Sequence, residues 1–234
     1  MHTIRMAMLE QEDDWDPSPF PKKYHVQNLR ITNSSVDGMI MRTLLGRFVS
    51  LQKFYYHNGS AELTDFPYEI GEGLAHLHDS LEELVLLGTL RDVLSGDRGH
   101  APVESLAEFT KLRCIGTEAE VLLGPDDYVW GYERPPLATI LPASLEILVL
   151  RMCTNEIYHD LRELVRHGKN KVPVLKTVAI DITGVWGLDD IKARRAHQQV
   201  EQELISEYKN VRIELIFGPY SGNARTYVPS FMVY

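Results

Sequence analysis

Leu145-Glu-Ile-Leu148-Val-Leu150-Arg-Met-Cys153 decides how this chain is read. Its leucines follow the spacing L-x-x-L-x-L, and a small cysteine closes the unit. In an extended strand side chains alternate between faces, so Leu148 and Leu150 share one face. Ile147, Val149 and Arg151 share the other. A unit this short cannot bury its leucines alone, because ordering each residue costs about 1–2 kcal/mol. Stacked copies solve that problem, so one good copy predicts others in series.

The series is present. Val26, Leu29 and Ile31 keep the spacing, as do Leu51, Phe54 and Tyr56. Leu81, Leu84 and Leu86 follow, then a poor copy at Leu112, Ile115 and Thr117. After the quoted stretch come Leu175, Val178 and Ile180. The starts at 26, 51, 81, 112, 145 and 175 lie 25, 30, 31, 33 and 30 residues apart. Met1, Ile4 and Met6 read as a truncated first copy, and Val211, Ile213, Leu215 and Phe217 alternate like a closing strand. The segments between carry helical spacing. Val36, Ile40, Leu44 and Phe48 form one stripe behind Ser34-Ser35, and Ile70, Leu74 and Leu77 a shorter one. Ile157, Leu161, Leu164 and Val165 form a third, with Asn155 as N-cap and Gly168 as stop. Ile191, Ala196, Val200, Leu204 and Tyr208 line a long charged helix ending near Asn210. Strands alternating with helices predict parallel pairing through crossovers.

The expected fold is therefore α/β: a leucine-rich repeat solenoid with a curved parallel sheet and helices on the convex side. Regular repeats of that kind run about 20–29 residues, so these are long and irregular. One domain is expected over 1–234, with an acidic Pro-containing loop near 10–25, a turn-rich insertion near 124–136 and a C-terminal cap near 211–234.

Composition narrows the function. The net charge of -9 argues against a nucleic-acid binder, because phosphate binding needs clustered Lys and Arg. It also disfavours an acidic membrane surface, and no run approaches the roughly 20 apolar residues of a membrane span. Two cysteines, Cys114 and Cys153, are too few for a disulfide framework. With no apolar h-region at the N-terminus, a cytoplasmic or nuclear protein is expected. The triplets Asn33-Ser-Ser35 and Asn58-Gly-Ser60 then read as chance matches to the glycosylation pattern.

Catalytic and metal-binding patterns are weak. Ser50-Leu-Gln-Lys53 matches S-x-x-K, yet no helix places the pair together. His76 and His78 are two apart where a zinc pair on a helix face needs four. His159 and Glu163 read as a solvated pair. Glu12, Asp13, Asp14 and Asp16 lack the spacing and glycine of a calcium loop. No phosphate loop, nucleophile elbow or dinucleotide fingerprint occurs. No cofactor and no enzymatic activity are expected. Trp15, Trp130 and Trp186 stand near loops, as anchors or as partner contacts.

The chain resembles the leucine-rich repeat region of fungal F-box-type proteins. The phrases that carry this are Asn28-Leu-Arg-Ile-Thr-Asn-Ser-Ser35, Arg42-Thr-Leu-Leu45, Leu51-Gln-Lys-Phe-Tyr-Tyr56, Ile70-Gly-Glu-Gly-Leu74, Asp79-Ser-Leu-Glu-Glu-Leu-Val-Leu86, Glu120-Val-Leu-Leu-Gly124 and Leu141-Pro-Ala-Ser-Leu-Glu-Ile-Leu148. The resemblance implies a substrate receptor for cullin-type ubiquitin ligases, in which an F-box docks a Skp adaptor and the repeats hold the target. Here the repeat pattern already runs through the first residues and no F-box is expected. What carries over is the recognition module, with a ligase link only where an F-box is supplied elsewhere.

A protein partner is expected on the concave face. The outward strand positions there include Arg30, Lys53, Tyr55, His57, Glu83, Val85, Leu87, Ile147, Val149, Arg151 and Asp181. An apolar centre with a charged rim is the usual anatomy of an interface, and Tyr and Arg are enriched at its hot spots. Two readings of Val85, Leu87, Ile147 and Val149 stay open: partner contacts, or residues covered by an internal loop such as 124–136. Tyr55 is likewise a hot spot or a strand residue filling surface. The alternative function is a self-associating scaffold that pairs through its open first strand.

Overall fold

Eight strands pair in chain order in one open sheet, and every neighbouring pair is parallel. They are β1 (Thr3–Ala7), β2 (Asn28–Ser34), β3 (Lys53–Asn58), β4 (Glu83–Leu87), β5 (Cys114–Glu118), β6 (Ile147–Cys153), β7 (Thr177–Ile182) and β8 (Glu214–Phe217). The structure, a computed structural model, describes residues 3–7, 23–34, 36–58, 66–88, 102–103, 105–124, 134–182 and 191–218. The acidic stretch up to residue 22, most of the 124–136 insertion, the tail beyond 218 and all three tryptophans lie outside them.

The register follows the repeat. Leu29, Phe54, Leu84, Ile115, Leu148, Val178 and Leu215 stand side by side across seven strands. A second layer runs from Ile31 through Tyr56, Leu86, Thr117, Leu150 and Ile180 to Phe217. Except for Phe217, both layers are buried. Each buried aliphatic side chain contributes about 1.5–3 kcal/mol. The poor copy leaves a mark: the buried Thr117 hydroxyl has no hydrogen-bond partner among the described residues. Tyr56 escapes that cost because its hydroxyl donates to the Ser34 carbonyl at 3.0 Å.

One main-chain contact recurs at five successive steps, from β2–β3 to β6–β7. The carbonyl of Gln27 accepts the amides of both Gln52 and Lys53, at 2.8 and 2.9 Å. The carbonyls of Gln52, Glu82, Arg113 and Glu146 do the same for the repeat that follows each of them. A second device sits at strand ends. Asn33, Gly88 and Met152 occupy the same repeat position and all have positive φ, at 52°, 69° and 51°. Glycine adopts this conformation freely and asparagine tolerates it, but methionine is strained there. Met152 is 41% exposed, so its side chain recovers little by packing. Met152→Gly is expected to stabilise the protein by about 1 kcal/mol, read as a raised thermal midpoint.

Among the described residues six α-helices complete the repeats: α1 (Gly38–Leu45), α2 (Phe66–Leu74), α3 (Ala119–Leu123), α4 (Leu137–Ile140), α5 (Ile157–Lys171) and α6 (Ile191–Asn210). Their buried residues join the two strand layers in one core. The opposite sheet face has its own small cluster, built from strand residues alone. Among the described residues helices thus line one face, as the repeat pattern required.

Several helix details differ from the sequence expectation. Asp37 caps α1, accepting from the amides of Met39 and Ile40, so the helix starts after Ser34-Ser35. Its buried positions are Gly38, Met41 and Leu45, while Ile40 and Leu44 flank them half-buried. In α5 the N-cap is Glu156, and Gly168 lies inside the helix. A Cβ on Gly168 would stand 2.9 Å from Leu164 Cδ1, so glycine serves close packing there. The helix ends at Lys171, just ahead of Val172 and Pro173, as the constraint on residues before proline requires. Ala196 in α6 is exposed, while Leu204 and Tyr208 are buried. The Tyr208 hydroxyl donates to the Leu161 carbonyl at 3.0 Å and ties α6 to α5. Residues 214–217 are a paired strand, so this part of the expected cap extends the sheet. The described end of the 124–136 insertion is fastened to α5, where Arg134 meets Asp160 at 2.8 Å.

Candidate recognition face

The sheet face without helices carries the alternate residue of each strand. Its polar half lies on β2, β3 and the start of β4. There the Arg30 guanidinium sits 4.3 Å from the centre of the Tyr55 ring. Such cation–π contacts are worth about 0.5–1 kcal/mol at exposed sites. Lys53 Nζ lies 2.5 Å from Glu83 Oε1, with the two side chains 42% and 26% exposed. His57 is half-buried at the end of β3, in register with Leu87.

The apolar half follows on β4 to β7. Val85 is 3% exposed, Leu87 5% and Val149 8%, and Ala179 joins them. Tyr55, Ile147 and Ile216 pack partly buried against this group. Three of the residues expected to touch a partner are therefore buried within the chain itself, which favours the covered reading for them. Beyond them Arg151 Nε lies 3.7 Å from Asp181 Oδ2, with Arg151 exposed and Asp181 half-buried. Their separation from Arg30 is set by the sheet: β2 and β6 are four strand spacings apart, roughly 19 Å.

Sequence reading missed Ile216 on this face, and it placed Glu118 there without its bond. Ile216 belongs to it because Leu215 and Phe217 face the core, a placement the closing-strand alternation already contained. Glu118 is 4% exposed and its carboxylate accepts the Gly88 amide at 2.5 Å. That bond fastens the turn after β4 to the end of β5, and no local sequence signal announces it.

The chemistry available here is that of contact. Cys114 stands between Glu83 and Ile147 in register. Burial, aided by the Glu83 charge, pushes its thiol up to about 12. The thiolate is the reactive form, so Cys114 is inert at neutral pH, and Cys153 is shielded from reagents by burial. A thiol-reactive chromogen is expected to label neither in the native protein and both in denaturant. Rapid native labelling would place Cys114 outside the packed face.

The weak catalytic patterns find no support in the geometry. Lys53 Nζ is engaged by the Glu83 carboxylate on the neighbouring strand, not by Ser50. His76 Nε2 contacts the Phe48 carbonyl at 2.6 Å, while His78 Nδ1 contacts that of Ala75 at 3.2 Å. Glu163 pairs with Arg166 at 3.0 Å and with His167 at 3.3 Å, not with His159. An acid placed N-terminal to its cation is the better helical order. Among the described residues no group of three or more side chains could hold a metal. No described helix is long and apolar enough to cross a membrane.

Comparison with known proteins agrees with the geometry. The family described as "Leucine-rich repeat domain" matches residues 10–219. Comparisons with curated proteins and with solved structures returned no match. Domains of this family commonly mediate protein–protein interaction and are generally non-catalytic. The register, the strand order and the family match lead to one conclusion: this chain belongs to the leucine-rich repeat domain family.

Proposed function

We propose that the protein is a non-catalytic recognition module whose partner docks on the helix-free, concave face. The observation that carries this is the strip of Arg30, Lys53, Tyr55, His57 and Glu83. It is partly exposed, held in place by a cation–π contact and an ion pair, and it borders a packed apolar floor. Preorganised aromatic and arginine side chains beside a rigid floor are what hot spots are made of. Arg151 and Asp181 form a second, partly exposed pair beyond the floor and extend the footprint.

Proximity labelling tests the reading. Wild type is compared with Tyr55→Ala and with Arg166→Ala on the helical side. Neighbours lost only with Tyr55→Ala support the concave face, and an unchanged set removes it. The resemblance to F-box-type receptors extends the proposal to presenting targets to a cullin-type ligase. Recovery of a Skp adaptor with the tagged protein tests that extension, and its repeated absence leaves recognition standing.

A second reading has one observation behind it. Among the described strands β1 is paired on one side only, by β2. An open edge invites another strand. If the protein self-associates there, sizing gives a dimer that is lost when residues 1–9 are removed.

A further inference from the structure

We infer that copies of the protein associate head to tail, the acidic run of one copy docking on the basic corner where α5 and α6 end in the next. The run is Glu12-Asp-Asp-Trp-Asp16, four carboxylates around one indole. This contact uses neither the concave face nor the open edge of β1.

The corner is built from two neighbouring repeats. α5 and α6 lie side by side, joined by the Tyr208 hydroxyl to the Leu161 carbonyl and by Arg162 to Glu203 at 3.7 Å. Both helices lead into strand starts, where Thr177 and Glu214 stand in register. Their ends therefore meet at one edge of the sheet. Lys169 and Lys171 close α5, Lys209 closes α6, and Arg212 follows just beyond. All four are exposed, and none forms an ion pair among the described residues. Glu207 and Glu214, the acids next in sequence, pair with none of the four. Lys176 joins the corner while holding Glu146.

The helix dipole explains part of this. Cations in a last turn offset the partial negative charge there. Arg212 lies beyond its helix and outside that account. The whole chain has 33 acidic and 24 basic residues, so five exposed cations in one corner run against its average. Val174 is 45% exposed between Lys171 and Lys176 in sequence, and it offers an apolar contact for the indole of Trp15.

Chain length makes the contact one between copies. β1 and β7 stand six strand spacings apart, roughly 29 Å. Ala7 closes β1 at the edge where strands end, while the corner lies at the edge where they start. The seven residues from Ala7 to Asp14 span at most about 25 Å. The centre of the run falls short of its own corner and meets a neighbour's. Such a contact joins unlike surfaces, so it can repeat along a row of copies.

Charge exchange tests the pairing. One full-length variant carries Lys169→Glu, Lys171→Glu and Lys209→Glu, and the other Asp13→Lys, Asp14→Lys and Asp16→Lys. Circular dichroism confirms that each is folded. If a reversal does not fold, Lys209→Gln and Asp14→Asn read the loss of association instead. Wild type is expected to associate in sedimentation equilibrium at low salt, and at least about tenfold more weakly once salt screens the charges. Each variant alone should sediment as a monomer, because like charges then face each other. An equimolar mixture should recover association, since the intact run of the first meets the intact corner of the second. A mixture that stays monomeric overturns the pairing, as does a wild type that is monomeric at low salt. Association that both variants keep, and that is lost on removing residues 1–9, overturns it in favour of the β1 edge.

Discussion

Leu148→Ala is expected to lower the free energy of unfolding by about 2–5 kcal/mol. Leu148 is fully buried, with Ile115 on one side of its layer and Val178 on the other. Removing its branched end loses the transfer free energy of those atoms and leaves a cavity that rigid neighbours fill only in part. In a solenoid the loss does not stay local, because each repeat is stable only through its neighbours. A urea curve followed by circular dichroism should therefore shift as a whole. Leu215→Ala is the comparison. Leu215 lies on the last described strand and is 6% exposed, so its loss should cost less. Equal midpoints for wild type and Leu148→Ala would put this leucine outside the core and break the register.

Arg134→Ala has the second largest expected effect, about 3 kcal/mol. Its guanidinium meets Asp160 at 2.8 Å, with the side chains only 17% and 11% exposed. Truncating the arginine takes the charged partner at 2.8 Å away from a carboxylate that burial has already stripped of most water. Removing both charges together, as Arg134→Met with Asp160→Leu, should cost less than Arg134→Ala alone, since no buried charge is then left over. The same urea experiment reads both. A double variant no better than the single one would show that the pair contributes through packing and not charge.

The core was legible and the two sheet faces were not equally so. Six copies of one spacing predicted which residues share a layer, and Leu29, Phe54, Leu84, Ile115, Leu148 and Val178 do share one. Patterned aliphatic residues report burial directly, whatever the length between them. Helix phase was harder. The stripe from Val36 to Phe48 spans a helix of only eight residues, so its two ends lie outside the helical period. Gly168 looked like a stop because glycine is permissive, whereas here it makes room for Leu164.

On the helix-free face alternation placed Arg30, Tyr55 and Val85 in one row, which the structure confirms. Spacing cannot say which of them is covered. Val85 and Val149 look the same in sequence as exposed strand valines, and their burial depends on contacts beyond the strand. The bond from Gly88 to Glu118 spans 30 residues, so no local window contains it.

The doubled hydrogen bonds at the strand starts have a consequence for how such a chain changes over generations. The beat of the stack is struck by carbonyl groups, which every residue type supplies. Gln27, Gln52, Glu82, Arg113 and Glu146 therefore differ in side chain while performing one task. Selection has little to hold at those sites. Substitutions there, and insertions or deletions in the connecting segments, leave the alignment of the strands untouched. A lineage of such proteins is then free to lose resemblance letter by letter while its architecture stays in step.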